Sequence, residues 1–132
     1  MNWKHYRKGK NVSMINYHLV FCPRYRRKIF NIDGVEERFK EIVRQICEQN
    51  DYDLLKIECH VDHCHLWLNV PPDISAAAAV RVIKTNTARL LLKEFSAFEH
   101  THNLWTRSYF ASTEKTINDD TITKYIESQK TR

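Results

Sequence analysis

The fold is decided by the stretch Glu58-Cys59-His60-Val61-Asp62-His63-Cys64-His65-Leu66-Trp67-Leu68-Asn69-Val70. Its second half is apolar, which is typical of a buried strand, and it stops at Pro71-Pro72, because proline cannot continue a strand ladder. Alternate side chains of a strand share a face, so His63 and His65 project together while Cys64 points to the opposite face. Two adjacent imidazoles on a rigid strand form half of a metal site. The pair alone favours a metal site and a structural or surface role about equally.

The size and composition of the chain indicate one domain over residues 1–132, with 42% hydrophobic residues and a core of its own. No apolar run approaches the length of about 20 residues that spans a membrane. The basic start of the chain lacks the apolar core of a secretory signal. The four cysteines form no Cys-x-x-Cys pair, so we interpret them as reduced core residues and expect a cytoplasmic protein.

Positive charge is concentrated at the beginning of the chain. The net charge is +5, and residues 1–30 contain eight of the 21 lysines and arginines and none of the 16 acidic residues. The densest run, Arg24-Tyr25-Arg26-Arg27-Lys28, would attract a phosphate backbone, and Tyr25 could stack on an unpaired base. Most short charged runs are solvated loops, but this one-sided distribution favours nucleic-acid binding.

The hydrophobic pattern predicts alternating strands and helices. Within residues 35–49, one apolar helical stripe is predicted by residues at positions i, i+3, i+4 and i+7, which are Phe39, Ile42, Val43 and Ile46. Ser75 is a plausible N-cap, and Asn118 or Asp119 is expected to cap the last helix. We expect strands at 16–22, 52–58 and 104–113, helices at 35–49, 76–95 and 120–130, and a turn of unknown position near residues 58–62. This order predicts a ferredoxin-like or RRM-like α+β fold, with an antiparallel sheet, helices packed on one face and a tyrosine-bearing C-terminal helix within 116–132.

That final helix carries the second candidate group of functional residues. Tyr125 and Gln129 are four residues apart and therefore lie on one helical face. Combined with the histidine pair, they suggest a metal held by His63, His65 and the carbonyl of Gln129, and this mixed set with open positions suits Mg²⁺ or Mn²⁺ holding a phosphate. Tyr125 would be the nucleophile, and because a free phenol has a pKa near ~10, it needs a metal to polarise the phosphate. His60 and Asp62 are lesser candidates for the site.

Four motifs in the same order resemble those of the single-tyrosine HUH transposases of the insertion-sequence 200/605 type. The first is a strand followed by a basic turn, and the second matches the Asp-His-hydrophobic-His-Leu motif of that family. The motifs are Tyr17-His18-Leu19-Val20 with Pro23-Arg24-Tyr25-Arg26-Arg27-Lys28, Asp62-His63-Cys64-His65-Leu66, Trp105-Thr106-Arg107-Ser108-Tyr109-Phe110, and Tyr125-Ile126-Glu127-Ser128-Gln129.

The resemblance implies a DNA transposase that cleaves and rejoins single-stranded DNA at element ends. Tyr125 would form a 5′-phosphotyrosine intermediate with the help of Mg²⁺ or Mn²⁺ and without a nucleotide cofactor. The family further implies a homodimer that binds hairpin-forming element ends, with no membrane partner and with nucleoid association during activity. The DNA-binding candidates are Arg24, Arg26, Arg27, Lys28, Lys84, Arg89 and Arg107.

Several alternatives remain at this point. The chain could be another HUH endonuclease, such as a replication initiator, a relaxase or a repeat-associated enzyme, or a non-catalytic nucleic-acid-binding module. Tyr109 competes as nucleophile, although its aromatic neighbours indicate packing. A zinc site is disfavoured, because ligands so crowded along one strand alternate between its faces; its members would be Cys59, His60, His63, Cys64 and His65.

Overall fold

The computed structural model describes residues 6–8, 11–113 and 119–132. Within these ranges the strands are β1 (Tyr6–Lys8), β2 (Asn11–Ser13), β3 (Asn16–Phe21), β4 (Asp53–Cys59), β5 (Cys64–Asn69) and β6 (Phe110–Ser112). The helices are α1 (Val35–Gln49), α2 (Ala76–Glu94) and α3 (Asp119–Glu127). No helix in this described part of the chain has the length and apolar character needed to cross a membrane.

A four-stranded antiparallel sheet in the order β4-β5-β3-β6 forms the centre of the fold. Strands β1 and β2 form a separate two-stranded antiparallel sheet. The main sheet and its two connecting helices give the β–α–β–β–α–β order of a ferredoxin-like fold. The predicted α+β class is therefore confirmed.

Strand β5 separates an apolar face of the sheet from a polar one. Cys64, Leu66 and Leu68 are each fully buried in the main core, where α1 and α2 also bury their apolar side chains. The helical stripe predicted for α1 is buried as expected, and its members are Phe39, Ile42, Val43 and Ile46. The alternation of β5 therefore places His65 and Trp67 on the opposite face.

The turn that the sequence left unplaced lies between β4 and β5. Strand β4 ends at Cys59, and the backbone N–H of His60 donates a hydrogen bond to the carbonyl of His63 at 2.9 Å. The two strands then pair from Cys59 opposite Cys64 onwards. His60 and His63 consequently belong to the turn, while His65 belongs to the strand.

The predicted strand over 104–113 is only partly correct, because β6 is confined to Phe110–Ser112. Trp105 forms an isolated bridge with Pro23, and its indole N–H donates to Thr87 at 3.0 Å inside the core. The ammonium group of Lys84 donates to the backbone carbonyls of Thr106 and Ser108. The segment before β6 is therefore held by the Trp105 bridge and by Lys84 rather than by a continuous strand ladder.

The last helix also differs from the prediction, since it ends at Glu127 rather than at residue 130. Beyond it, the N–H groups of Gln129 and Lys130 bond to carbonyls three residues earlier, which tightens the chain into a turn. Asn118, one of the two predicted caps, lies outside the described residues. Ile126 packs with Val20 and Cys22, so α3 covers the face opposite α1 and α2, and only those two helices share one face.

The predicted N-cap of α2 gives a direct test of local stability. Ser75 Oγ accepts a hydrogen bond from the N–H of Ala78 at 3.0 Å. We expect Ser75→Ala to lower the free energy of unfolding by about 1 kcal/mol. Ser75→Asp should keep most of the stabilisation by the cap, because aspartate also caps helices well. Urea unfolding of the three proteins measures this. Equal losses in both variants would show that the cap does not stabilise α2.

Candidate metal centre and tyrosine site

Three imidazoles meet on the polar face of the sheet, beside the β4–β5 turn. His60, His63 and His65 each offer one ring nitrogen, and these nitrogens all lie within 4.8 Å of one another. The ring centroids of His63 and His65 are 5.2 Å apart, and those of His60 and His65 are 5.3 Å apart. The structure thus brings together the predicted pair and adds His60, which the sequence favoured less.

A chain of charged groups orients His63. Its Nδ1 lies 3.0 Å from Asp62 Oδ1, and Asp62 Oδ2 accepts hydrogen bonds from Arg26 Nε at 3.0 Å and Arg26 Nη2 at 2.9 Å. An ionised carboxylate only accepts, so Nδ1 of His63 carries the proton and Nε2 keeps its lone pair for a metal. Asp62 therefore supports His63, and the guanidinium of Arg26 is bound to Asp62.

His18, which the sequence analysis did not select, makes the corresponding contact to His65. His18 Nε2 lies 3.0 Å from His65 Nδ1, and its ring stacks on Trp67 with centroids 4.3 Å apart. His65 can offer Nε2 to a metal only when its Nδ1 donates to His18. The sequence could have identified His18 through the alternation of β3. This alternation places His18 on the same face as Val20, the residue directly opposite His65.

Burial favours the neutral forms of His63 and His65. Burial, together with the neighbouring imidazoles of His18, His63 and His60, lowers the pKa of His65 to about 4. Burial also lowers the pKa of His63, although the hydrogen bond to Asp62 opposes this shift. Neutral imidazole is the form that binds metals, so the chemistry of this donor set fits a divalent ion.

The cysteines of the alternative zinc site do not accompany the histidines. Cys64 is fully buried, and its thiol faces the carbonyl of Phe21 on the core side of the sheet. Cys59 packs against the same core, and burial raises its pKa to about 12. A thiol with such a pKa stays protonated, whereas zinc binds the thiolate. Only the histidines of that proposed set form a cluster.

Tyr125 and Gln129 meet at a residue that the sequence did not single out, Ser108. The hydroxyl of Ser108 lies 3.2 Å from the Tyr125 hydroxyl and donates to Gln129 Oε1 at 2.9 Å. Gln129 is only 1% exposed, and its amide nitrogen donates to Ser128 at 3.0 Å. Its carbonyl is therefore bonded to Ser108 rather than placed among the imidazoles. Ser108 lies within the motif over residues 105–110, and that motif could have identified it from the sequence.

The histidines and the tyrosine helix share one face of the sheet. Val20 is the register partner of His65, and it packs with Ile126 of α3. Directly opposite residues of an antiparallel pair project to the same side, so the helix lies beside the imidazoles. Burial raises the pKa of Tyr125 to about 12, with the Ser108 hydrogen bond opposing the shift. The phenol is thus protonated at neutral pH.

The basic candidates fall into two groups. Arg27, Lys28, Arg89 and Arg107 are exposed, although Arg27 also donates to Thr101 at 2.8 Å and Arg89 to Asn86 at 3.3 Å. Arg24, Arg26 and Lys84 are half-buried, and the last two bond to groups within the chain.

A cavity and an unusual turn connect this basic region to the tyrosine site. Arg24, Arg107, Ser108 and Gln129 help to line a cavity of about 430 Å³.

Tyr25, at the centre of the basic turn, is 61% exposed and has a φ of 59°, in the left-handed region that non-glycine residues rarely adopt. An exposed aromatic ring in a basic turn matches its predicted role as a stacking surface for an unpaired base.

Comparison with known proteins identifies the family to which this fold and site belong. The family described as "Transposase IS200 like" matches residues 11–129, so the chain belongs to this family, and the resemblance stated from the four motifs is confirmed. It is 32% identical over 101 residues to the transposase for insertion sequence element IS200 of Salmonella typhimurium, covering 74% of the chain. The chain spans 65% of the length of that relative.

Other relatives match over more of their length. The ISDra2 transposase TnpA of Deinococcus radiodurans is 32% identical over 127 residues, covering 93% of the chain and 90% of the relative. A crystal structure described as a candidate transposase from Deinococcus radiodurans has a TM-score of 0.81 at 31% identity, covering 94% of this chain and 97% of that one. A REP-associated tyrosine transposase bound to a REP hairpin has a TM-score of 0.61 at 12% identity, and the match covers 96% of this chain and 68% of that one. At this identity the match shows only that the two proteins share a fold.

The contact between Arg26 and Asp62 predicts a selective effect on metal binding. We expect Arg26→Ala to weaken Mn²⁺ binding about tenfold or more, because the carboxylate that orients His63 loses its anchor. Arg27→Ala is the matched control, since it removes a neighbouring guanidinium that bonds to Thr101 instead. Calorimetric titration of both variants measures the effect. The same affinity in both would contradict the role given to Arg26.

The buried ammonium of Lys84 predicts a pH dependence of stability. Burial lowers its pKa from 10.5 to about 8, so between these values the unfolded chain binds more protons than the folded chain. The penalty for burying the charge is complete below pH 8 and disappears above pH 10.5. Wild type should therefore gain up to about 3 kcal/mol of unfolding free energy relative to Lys84→Met across this window. Urea unfolding at several pH values tests this, and parallel curves for the two proteins would contradict it.

Proposed function

We propose that this chain cleaves and rejoins single-stranded DNA at the ends of an insertion element, with Tyr125 as nucleophile and with Mg²⁺ or Mn²⁺ at His63 and His65. Membership of the IS200-like transposase family supports the reaction class. The observation that carries the site assignment is the shared sheet face, where His65 lies opposite Val20 and Val20 packs against the tyrosine helix.

The metal ion, when bound, would polarise the scissile phosphate and offset its developing negative charge. The imidazoles of His63 and His65 would hold that ion through Nε2, because Asp62 and His18 bond to their Nδ1 atoms. Gln129 is the proposed oxygen ligand. Its carbonyl would bind the ion together with His63 and His65 by giving up its hydrogen bond from Ser108. Because the Ser108 hydroxyl is the donor in that bond, its lone pairs remain available to accept a hydrogen bond from the Tyr125 hydroxyl.

Cleavage would proceed by attack of the Tyr125 oxygen on phosphorus. The new oxygen–phosphorus bond replaces the bond to the 3′ oxygen, the phenol loses its proton, and the departing 3′ oxygen gains one. The pKa of about 12 for Tyr125 means that the proton must leave as the bond forms, and Ser108 is placed to accept the phenol hydrogen bond. Rejoining reverses these steps with another 3′ hydroxyl, so the phosphodiester energy is retained and no nucleotide cofactor is needed.

DNA would be held by the exposed cations and by Tyr25. Arg27, Lys28, Arg89 and Arg107 supply phosphate contacts in this proposal, and Tyr25 supplies a surface for a base. A structural neighbour bound to a REP hairpin supports hairpin-forming element ends as partners. The proposal further includes a homodimer and a cytoplasmic, nucleoid-associated location, both from the family resemblance.

Replacing the nucleophile should separate cleavage from binding. We expect Tyr125→Phe to reduce the covalent DNA adduct more than about a thousandfold, because phenylalanine keeps the packing of the ring and removes the attacking oxygen. Binding to single-stranded DNA should be nearly unchanged. The assay incubates protein with DNA carrying candidate element ends, with and without Mn²⁺, and resolves adducts on a denaturing gel.

Tyr109→Phe is the matched control, because Tyr109 is the other candidate nucleophile and is also partly buried. It should form the adduct at the wild-type level. An adduct that persists in Tyr125→Phe would refute the nucleophile assignment. Binding by wild type without an adduct, with Mn²⁺ present, would favour a non-catalytic nucleic-acid-binding module.

A further inference from the structure

We propose that His60 is a third metal ligand, and that the resulting three-imidazole site prefers transition-metal ions such as Mn²⁺, Co²⁺ or Zn²⁺ over Mg²⁺. The inference rests on the proposed metal role of His63 and His65 and adds to it a ligand and a selectivity. It concerns the cluster on the polar sheet face, where the three ring nitrogens lie within 4.8 Å of one another.

The β4–β5 turn brings His60 to the other two imidazoles. Its backbone N–H donates to the carbonyl of His63 at 2.9 Å, which closes the turn and fixes the spacing of the two residues. The rings of His60 and His63 stack with centroids 4.6 Å apart and an interplanar angle of 16°. Two nitrogens bound to one ion at about 2.1 Å each lie roughly 3–4 Å apart. The exposed side chain of His60 is free to rotate by this small amount.

The donor set determines which ions fit. All three ligand atoms are imidazole nitrogens, which bind Co²⁺ more strongly than Mn²⁺ and also suit Zn²⁺, whereas Mg²⁺ prefers oxygen ligands and retains its waters. Two carboxylates beside the cluster are already paired. Asp62 bonds to Arg26 and His63, and Glu58, which lies opposite His65, forms an ion pair with Lys56 at 2.9 Å.

The surroundings suit a site with open coordination positions. Asp62 and His18 orient two of the three donors, so the ion would find His63 and His65 already in place. A cavity of about 400 Å³ touches the cluster at His60 and Asp62, but His63 and His65 do not line it. Solvent can therefore approach the cluster from the side of His60, whose side chain is exposed.

Cobalt binding tests the ligand directly, because the visible spectrum of Co²⁺ reports its coordination independently of DNA cleavage. We expect wild type to bind one Co²⁺ with a defined spectrum, and His60→Ala to change that spectrum and weaken binding about tenfold or more. His100→Ala is the matched control, since the His100 side chain is 93% exposed and pairs only with the adjacent Glu99. It should behave as wild type.

Competition tests the selectivity in the same samples. We expect about a hundredfold excess of Mg²⁺ to leave Co²⁺ bound to wild type, because nitrogen ligands favour cobalt. Displacement of Co²⁺ by an equal concentration of Mg²⁺ would overturn the selectivity.

The variants distinguish failure of this inference from failure of the proposed function. Loss of binding in His63→Ala with wild-type binding in His60→Ala would overturn the role of His60 and leave the histidine pair as the metal site. Absence of Co²⁺ binding to folded wild type, verified by circular dichroism, would overturn both the inference and the metal part of the proposed function.

Discussion

The structure depends on the register between β5 and β3. In β5, Leu66 faces Leu19 within the core, while the next residue back, His65, lies opposite Val20 on the other side. A slip of β5 by one residue would turn His65 toward α1 and α2 and would turn Leu66 and Leu68 toward the other face. The same register places Val20 where α3 can cover it. One pairing of strands therefore establishes the core, the metal cluster and the surface on which the tyrosine helix packs.

Two buried hydrogen-bond systems attach the functional groups to that sheet. Arg26 bonds to Asp62, which bonds to His63, and Lys84 bonds to the carbonyl of Ser108, whose hydroxyl lies between Tyr125 and Gln129. In each system a cation stabilises a segment without regular structure. Hydrogen bonds to charged groups are stronger than neutral ones, so these contacts hold the β4–β5 turn and the segment before β6 in place.

The sequence predicted features that depend on residues close together in the chain better than features that depend on distant residues. The helical stripe of α1 and the Ser75 cap rest on local spacing, and both are found as expected. His63 and His65 lie close together, although His63 is in the β4–β5 turn and not on the predicted strand. The short β6 was not predictable, because the segment before it makes contacts with distant parts of the chain, including Lys84 of α2.

The same reasoning applies to the site. His18 and Ser108 were missed because their significance comes from partners 47 and 17 residues away in the chain. Sequence patterns also cannot distinguish a cation that binds phosphate from one that binds a carboxylate or carbonyl inside the protein. Arg26 and Lys84 were therefore grouped with the DNA-binding candidates, while the structure gives them internal partners.

The central claim is that metal-binding imidazoles and the tyrosine helix occupy one face of the sheet, and paramagnetic broadening by Mn²⁺ in NMR spectra tests it most directly. Leu19 and Val20 are consecutive residues on opposite faces, and broadening falls steeply with distance from the ion. The account predicts that the ring signals of His63 and His65 and the methyl signals of Val20 broaden at lower Mn²⁺ concentrations than the methyl signals of Leu19. Equal broadening of Leu19 and Val20, or broadening centred on another part of the chain, would contradict it.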